Sequence, residues 1–407
     1  TGITSLRDAD LRQVLEDTQR EYAELLREMR TLSPSYASVV DPSVTGAKEI
    51  SSLLRPDEAL LEYLITDDRA FVFVITSDTI AAVPLAMEPD PLADLVGFSR
   101  GATERGNDGG SPNLWRSPGQ RLYGALLSPV EEEGLLEARN SLVIVPQGTL
   151  HYLPFQSLVD PRAGTFAIER YAISYAPSAS TWARLRARAG EASEARVAPS
   201  VGEPSPGRRV LAMAPHPQKL PGSRYEAEVI GTIFGSDAQV LTGEDASEAS
   251  FRNLAPEFDI LHLATFGRLN RANPLFSRME LASTPGDPGL LEVHEIYGMR
   301  LDARLLTLSA CETALGSGGL WDVPPGDEWV SLPSAFLAAG ATNVLASLWR
   351  VDDLATAALM ERFYAYMWDG DGVSNAIARA QRDLLADPAT SHPYYWAGFV
   401  LVGEGGS

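Results

Sequence analysis

Short apolar runs alternate with helical segments through the second half of this chain, and that alternation narrows the fold more than any other feature. Residues 210–214, 239–241, 260–264, 305–308, 343–348 and 399–402 read as strands. Residues 225–234, 247–254, 328–339, 354–368 and 374–386 read as helices lying between them. A strand that is apolar along its whole length is covered on both faces, and helices supply the cover. The class predicted is therefore α/β, a mostly parallel sheet with helices on both faces. Sites in such sheets form beyond the carboxyl ends of the strands.

The first third reads differently. Leu11, Val14, Leu15, Tyr22, Leu25, Leu26 and Met29 recur at helical spacing with charges between them, and the pattern stops near Ser33-Pro34. Three short strands follow at 60–64, 71–75 and 79–83, separated by turns at Asp67-Asp68 and Ser77-Asp78. A Gly-, Ser-, Asn- and Pro-rich stretch over 101–119 reads as a loop, 122–132 as a helix and 142–145 as a buried strand. The Ala, Glu, Ser, Pro and Gly of 190–208 read as a mobile linker. The division expected is an N-terminal helix with a small β-sheet over 1–140, then the core over 141–407.

Charge and cysteine content exclude several function classes. The formal net charge is -21, so nucleic acid and anionic membrane surfaces would be repelled. The longest apolar stretch, 335–349, is interrupted by Thr342, Asn343 and Ser347 and is too short to span a bilayer. No segment reads as a signal peptide, and the opening Thr1 suggests a piece of something longer. A single cysteine rules out an internal disulfide and a multi-cysteine zinc site, and it fits a reducing cytoplasm. No cofactor or metal is implied. The glycines at 316, 318 and 319 lack a following Gly-Lys-Ser/Thr, and no Gly-x-Ser-x-Gly elbow occurs.

That one cysteine, Cys311, closes the apolar run Leu305-Leu306-Thr307-Leu308-Ser309-Ala310 and precedes the glycine-rich stretch. This is where a strand-end nucleophile would stand. The plainer alternative is a small buried hydrophobe. A free thiol has a pKa of about 8.5, so a nucleophile needs an adjacent imidazole and backbone N–H groups for the oxyanion. His262 lies in the neighbouring strand, four residues before Phe266. At roughly 3.3 Å per residue those two positions are about 13 Å apart, beyond hydrogen-bond reach. His151, His216 and His392 fall in other blocks and read as surface or packing residues. His294 has no second histidine at metalloprotease spacing.

Several blocks resemble the CHAT family, caspase- and separase-like modules often attached to tetratricopeptide repeats. They are Thr307-Leu308-Ser309-Ala310-Cys311-Glu312-Thr313-Ala314-Leu315-Gly316, Gly148-Thr149-Leu150-His151-Tyr152-Leu153-Pro154-Phe155 and the segment 326–341. Two more are Ala346-Ser347-Leu348-Trp349-Arg350-Val351-Asp352-Asp353 and His392-Pro393-Tyr394-Tyr395-Trp396-Ala397-Gly398-Phe399. Their order along the chain is that of the family.

The resemblance implies a caspase-like fold and assigns roles. Cys311 matches the nucleophile, and Gly267 and Cys311 would supply the oxyanion-hole N–H groups. The family's His-x-Ala-Thr-His-Gly segment reads here His262-Leu263-Ala264-Thr265-Phe266-Gly267, so Phe266 stands in the place of the dyad histidine. His262 matches the first, structural histidine, and it is kept as a minor candidate for a replacement base. Trp349, Asp352 and Asp353 match the wall of the specificity pocket, where the carboxylates could meet a basic side chain. A helix N-cap ahead of Leu354, and core packing for Trp349, are the competing readings. The function expected is a degenerate or strongly impaired cysteine peptidase that binds a protein or peptide in a bacterial signalling or defence assembly. Upstream tetratricopeptide repeats are the expected fusion. The alternative is an active endopeptidase whose base comes from elsewhere.

Overall fold

The structure is a computed structural model that describes residues 44–105, 113–195, 208–268, 270, 274–311 and 332–406. The chain divides into units at residues 1–44 and 45–407. The amphipathic pattern ending near Ser33 lies outside the described residues.

One mixed sheet of thirteen strands organises the described residues. In chain order its strands are β1 (Glu58–Ile65), β2 (Ala70–Thr76), β3 (Ile80–Pro84), β4 (Ser141–Val145), β5 (Ala172–Tyr175) and β6 (Val210–Ala214). They continue as β7 (Ala238–Thr242), β8 (Ile260–Arg268), β9 (Arg278–Glu280), β10 (Leu290–Glu292), β11 (Leu305–Cys311), β12 (Asn343–Ser347) and β13 (Phe399–Gly403). The main path runs β10-β9-β8-β11-β12-β13-β5-β4-β1-β2-β3, and β6 branches from β8 to pair with β7. The pairs β6/β7, β6/β8, β8/β11, β11/β12, β13/β5, β4/β5 and β1/β4 are parallel. The sheet is thus mostly parallel, as the continuous apolar strands require. β4, β6, β12 and β13 are buried along their whole length.

The helices that cover it are α1 (Ala47–Leu53), α2 (Pro89–Arg105), α3 (Arg116–Leu126) and α4 (Ser128–Glu132). Then come α5 (Ala179–Ala195), α6 (Pro221–Phe234), α7 (Glu248–Leu254), α8 (Leu332–Ala339), α9 (Asp353–Trp368) and α10 (Val373–Ala386). Large side chains seal the core: Trp182, Trp396, Phe336, Phe363 and Tyr364 are fully buried. Each such residue contributes roughly 2–3 kcal/mol of apolar transfer on burial.

Three local expectations need correction. The 101–119 stretch is helical at both ends, since α2 reaches Arg105 and α3 begins at Arg116. The helix read over 122–132 is two helices, α3 and α4. α5 extends to Ala195 into the stretch read as linker, because Ala, Glu and Arg are good helix formers however weak their apolar signal. Residues 196–207 lie outside the described residues. No helix among the described residues is long and apolar enough to cross a membrane.

Candidate active site

The carboxyl ends of β8 and β11 carry the two residues expected to form the site, Phe266 and Cys311. The two strands are parallel and in register from Leu305↔Ile260 to Cys311↔Phe266. Backbone neighbours in such a pair lie about 4.8 Å apart. Positions 266 and 311, 45 residues apart in sequence, are therefore brought side by side. Gly267 follows and is buried.

Phe266 is partly exposed, and a histidine packs against it. His216 sits in the turn just beyond β6, and its ring centroid lies 5.7 Å from that of Phe266, tilted by 34°. Its Nε2 is 3.1 Å from the carbonyl oxygen of Glu280. A carbonyl can only accept, so the Nε2 hydrogen is assigned to this bond and Nδ1 is left as the basic nitrogen. The Thr265 hydroxyl donates to the same carbonyl, and Arg268 pairs with the Glu280 side chain. Burial, helped by Lys219, pushes His216 below its ordinary pKa, and the Glu280 carbonyl only partly offsets this. The imidazole is neutral at pH 7 and can accept a proton.

His262 has the opposite environment. It is fully buried, with Nδ1 3.1 Å from the Tyr364 hydroxyl, which donates to Thr307 Oγ1 at 2.8 Å. Nε2 lies 3.2 Å from Glu226 Oε2. That contact lacks hydrogen-bond alignment, so neither atom gains a hydrogen bond from it. His262 is thereby part of the interior that joins β8 to α6 and α9.

Trp349, Asp352 and Asp353, expected to wall a pocket, are all engaged within the protein. Trp349 is buried, and its indole N–H donates to the Tyr394 carbonyl at 3.1 Å. It packs so closely on Gly398 that a Cβ there would fall 2.8 Å from Nε1. Asp352 is the N-cap of α9, accepting from the Ala355 N–H at 2.9 Å. Asp353 accepts from the Gly222 N–H at 2.7 Å, which ties the start of α9 to the start of α6. A cavity of about 20 Å³ lies between these helices and β11, lined by Glu226, Ser309, Asp353 and Thr356 among others. That is space for one water, far short of a basic side chain. Among the described residues no group of three or more His, Cys, Asp or Glu is placed to hold a metal.

Sequence order did not mark His216. The signal that could have found it is topological. β6 and β8 are parallel neighbours, with Met213 opposite Leu263. Continuing that register three residues puts position 216 opposite 266.

A mostly parallel α/β sheet with helices packed on it, and the two expected residues at adjacent strand ends, is the arrangement that the resemblance to CHAT modules implies. The comparisons agree. The CHAT domain family matches residues 116–404, and this chain belongs to it. Tetratricopeptide repeat protein 28 of Mus musculus is 25% identical over 339 residues, covering 72% of this chain and 13% of that protein. The Homo sapiens protein of that name is 24% identical over 336 residues. This chain therefore spans only 13% of the length of these curated relatives. The Saccharomyces cerevisiae separase in its complex with securin shares the fold. Its TM-score is 0.56 at 11% identity, over 88% of this chain and 30% of that one.

Proposed function

We propose that this chain is a CHAT-type cysteine peptidase scaffold of strongly impaired activity that acts by binding a protein or peptide segment. The observation that carries the proposal is the register of Cys311 against Phe266. The ring occupies the place of the dyad base and cannot take a proton. Loss of a positioned general base costs about 10²–10⁴ in rate. Gly267 and Cys311 supply the N–H groups proposed for the oxyanion hole. Trp349, Asp352 and Asp353 border the proposed binding cleft, with both carboxylates turned to structural use in the state described. His262 is excluded as a base on this reading, since burial and Tyr364 hold it inside.

The partner is proposed to be proteinaceous. The separase that shares the fold is known with a protein partner, securin. The relatives' name supports repeats as the natural fusion. A cytoplasmic place in a bacterial signalling or defence assembly is the setting proposed.

The test is to restore the base. Phe266→His should raise the alkylation rate of Cys311 near neutral pH by roughly tenfold, since only a few per cent of a free thiol is thiolate there, and confer cleavage on a broad peptide library. If neither changes, position 266 is not the base position and the proposal fails. A second reading, an active endopeptidase with a base from elsewhere, is favoured by the His216 imidazole that lies against Phe266.

A further inference from the structure

A buried carboxylate on α6 is left without compensation from the groups around it. Glu226 is 3% exposed, and its Oε2 has no hydrogen-bond partner. His262 Nε2 lies 3.2 Å away. The hydrogen bonds on the far side of the ring fix what that nitrogen offers. The Tyr364 O–H is engaged by Thr307 Oγ1, so toward His262 Nδ1 the Tyr364 oxygen can only accept. Nδ1 carries the hydrogen of the neutral ring, and Nε2 faces the carboxylate with a lone pair. A second hydrogen on Nε2 would not point at Oε2, because the contact lacks alignment. An ionised carboxylate without a partner is among the costliest groups an interior can hold. The same side chain lines a cavity of about 20 Å³ where α6 and α9 begin. Ser309 of β11 and Asp353 and Thr356 of α9 line it too. Thr356 is 3% exposed, and its Oγ1 likewise has no hydrogen-bond partner. Asp353 is fixed there by the Gly222 N–H, 2.7 Å from Oδ2. Two orphaned oxygens and two further oxygen-bearing side chains thus surround a space for one water-sized occupant.

We propose that this cavity binds one dehydrated monovalent alkali cation, held by Glu226, Ser309, Asp353 and Thr356. An all-oxygen donor set selects hard cations. Calcium takes about six to eight oxygens, more than these side chains supply. Magnesium keeps several waters, for which the cavity has no room. No group of three His, Cys, Asp or Glu able to hold a metal occurs among the described residues, which sets this site apart from a divalent cage. One positive charge beside Glu226 supplies the compensation that His262 does not. The bound ion ties α6 and α9 to β11, and so holds the start of α9 against the sheet. Neither Cys311 nor Phe266 takes part, so the site stands or falls independently of the peptidase reading.

Thermal unfolding of the full chain tests this. The protein would be exchanged into choline chloride and titrated with KCl or NaCl at constant ionic strength, which holds screening of the -21 net charge fixed. Tm should rise saturably by about 2–4 °C as choline is replaced. Glu226→Gln keeps the shape and removes the charge. That variant should lose the alkali response, and in choline chloride it should be at least as stable as the wild type. Thr356→Val removes the hydroxyl at constant shape and should raise the half-saturating salt concentration about tenfold, the worth of one good oxygen contact. Superimposable wild-type transitions in KCl, NaCl and choline chloride would overturn the inference and leave a proton as the compensation of Glu226. An undiminished alkali response in Glu226→Gln would overturn it too, since the ion would then bind elsewhere. Should Glu226→Gln fail to fold, Thr356→Val decides, and an unchanged half-saturation dismisses the site.

Discussion

The histidines near position 266 occupy two contrasting regions, and the contrast explains which one can do chemistry. Below the strand ends, His262 is locked between Tyr364 and Glu226 with no solvent exposure. At the rim, His216 is partly exposed, hydrogen-bonded at Nε2, and tilted against the Phe266 ring. A buried imidazole with both faces packed contributes to cohesion. A rim imidazole with one free nitrogen can exchange protons. Distance along the chain would rank them the other way, since His262 is four residues from Phe266 and His216 is fifty.

The comparison can be broken by stability measurements. The largest effect is expected for His262→Ala, which opens a cavity and takes from the Tyr364 hydroxyl its imidazole partner. Urea unfolding should show a loss of about 3 kcal/mol. His216→Ala in the same assay should lose less than about 1 kcal/mol. Equal losses would mean that the rim histidine is structural too.

Acid sharpens the same contrast through a third histidine. Burial pushes His151 down to about 3. Its folded value lies below the unfolded one of about 6.5, so its stabilisation is complete above pH 6.5 and drains away as pH falls toward 3. By pH 4.5 the loss should reach about 2–3 kcal/mol relative to pH 7, and a His151→Gln variant should lack that component. His216 shifts in the same direction, and its part in the acid response should be the smaller because its ring is partly solvated. A His151→Gln chain with the wild-type acid profile would remove burial as the cause.

The smallest effect concerns the segment where α9 begins. Asp352→Ala removes the N-cap and should cost about 1 kcal/mol. A stability change near zero, with peptide binding lost instead, would return Asp352 to the proposed cleft.

Legibility in the sequence followed burial. Strands such as 142–145, 210–214 and 399–402 could be read because they are apolar on both faces, which no surface segment would be. β5, with four residues, and β9 and β10, with three each, are too short to show a period. α2 was missed because prolines at 89 and 91 and glycines at 97 and 101 interrupt its apolar stripe. The place of Cys311 and Phe266 at strand ends was legible from the apolar runs that precede them. The uses of Asp352 and Asp353 were not separable in sequence, because a carboxylate before a helix serves equally as a cap or a ligand contact.

The amino-acid order by itself determined the α/β class and the lone thiol, since these follow from apolar runs and residue identity, and the family resemblance of its blocks marked Phe266 as the position where an imidazole is expected. Only the tertiary structure decided which histidine is enclosed and which lies beside that ring. Proximity across β6, β8 and β11 is set by strand pairing, and pairing between distant segments leaves no periodic trace in the chain.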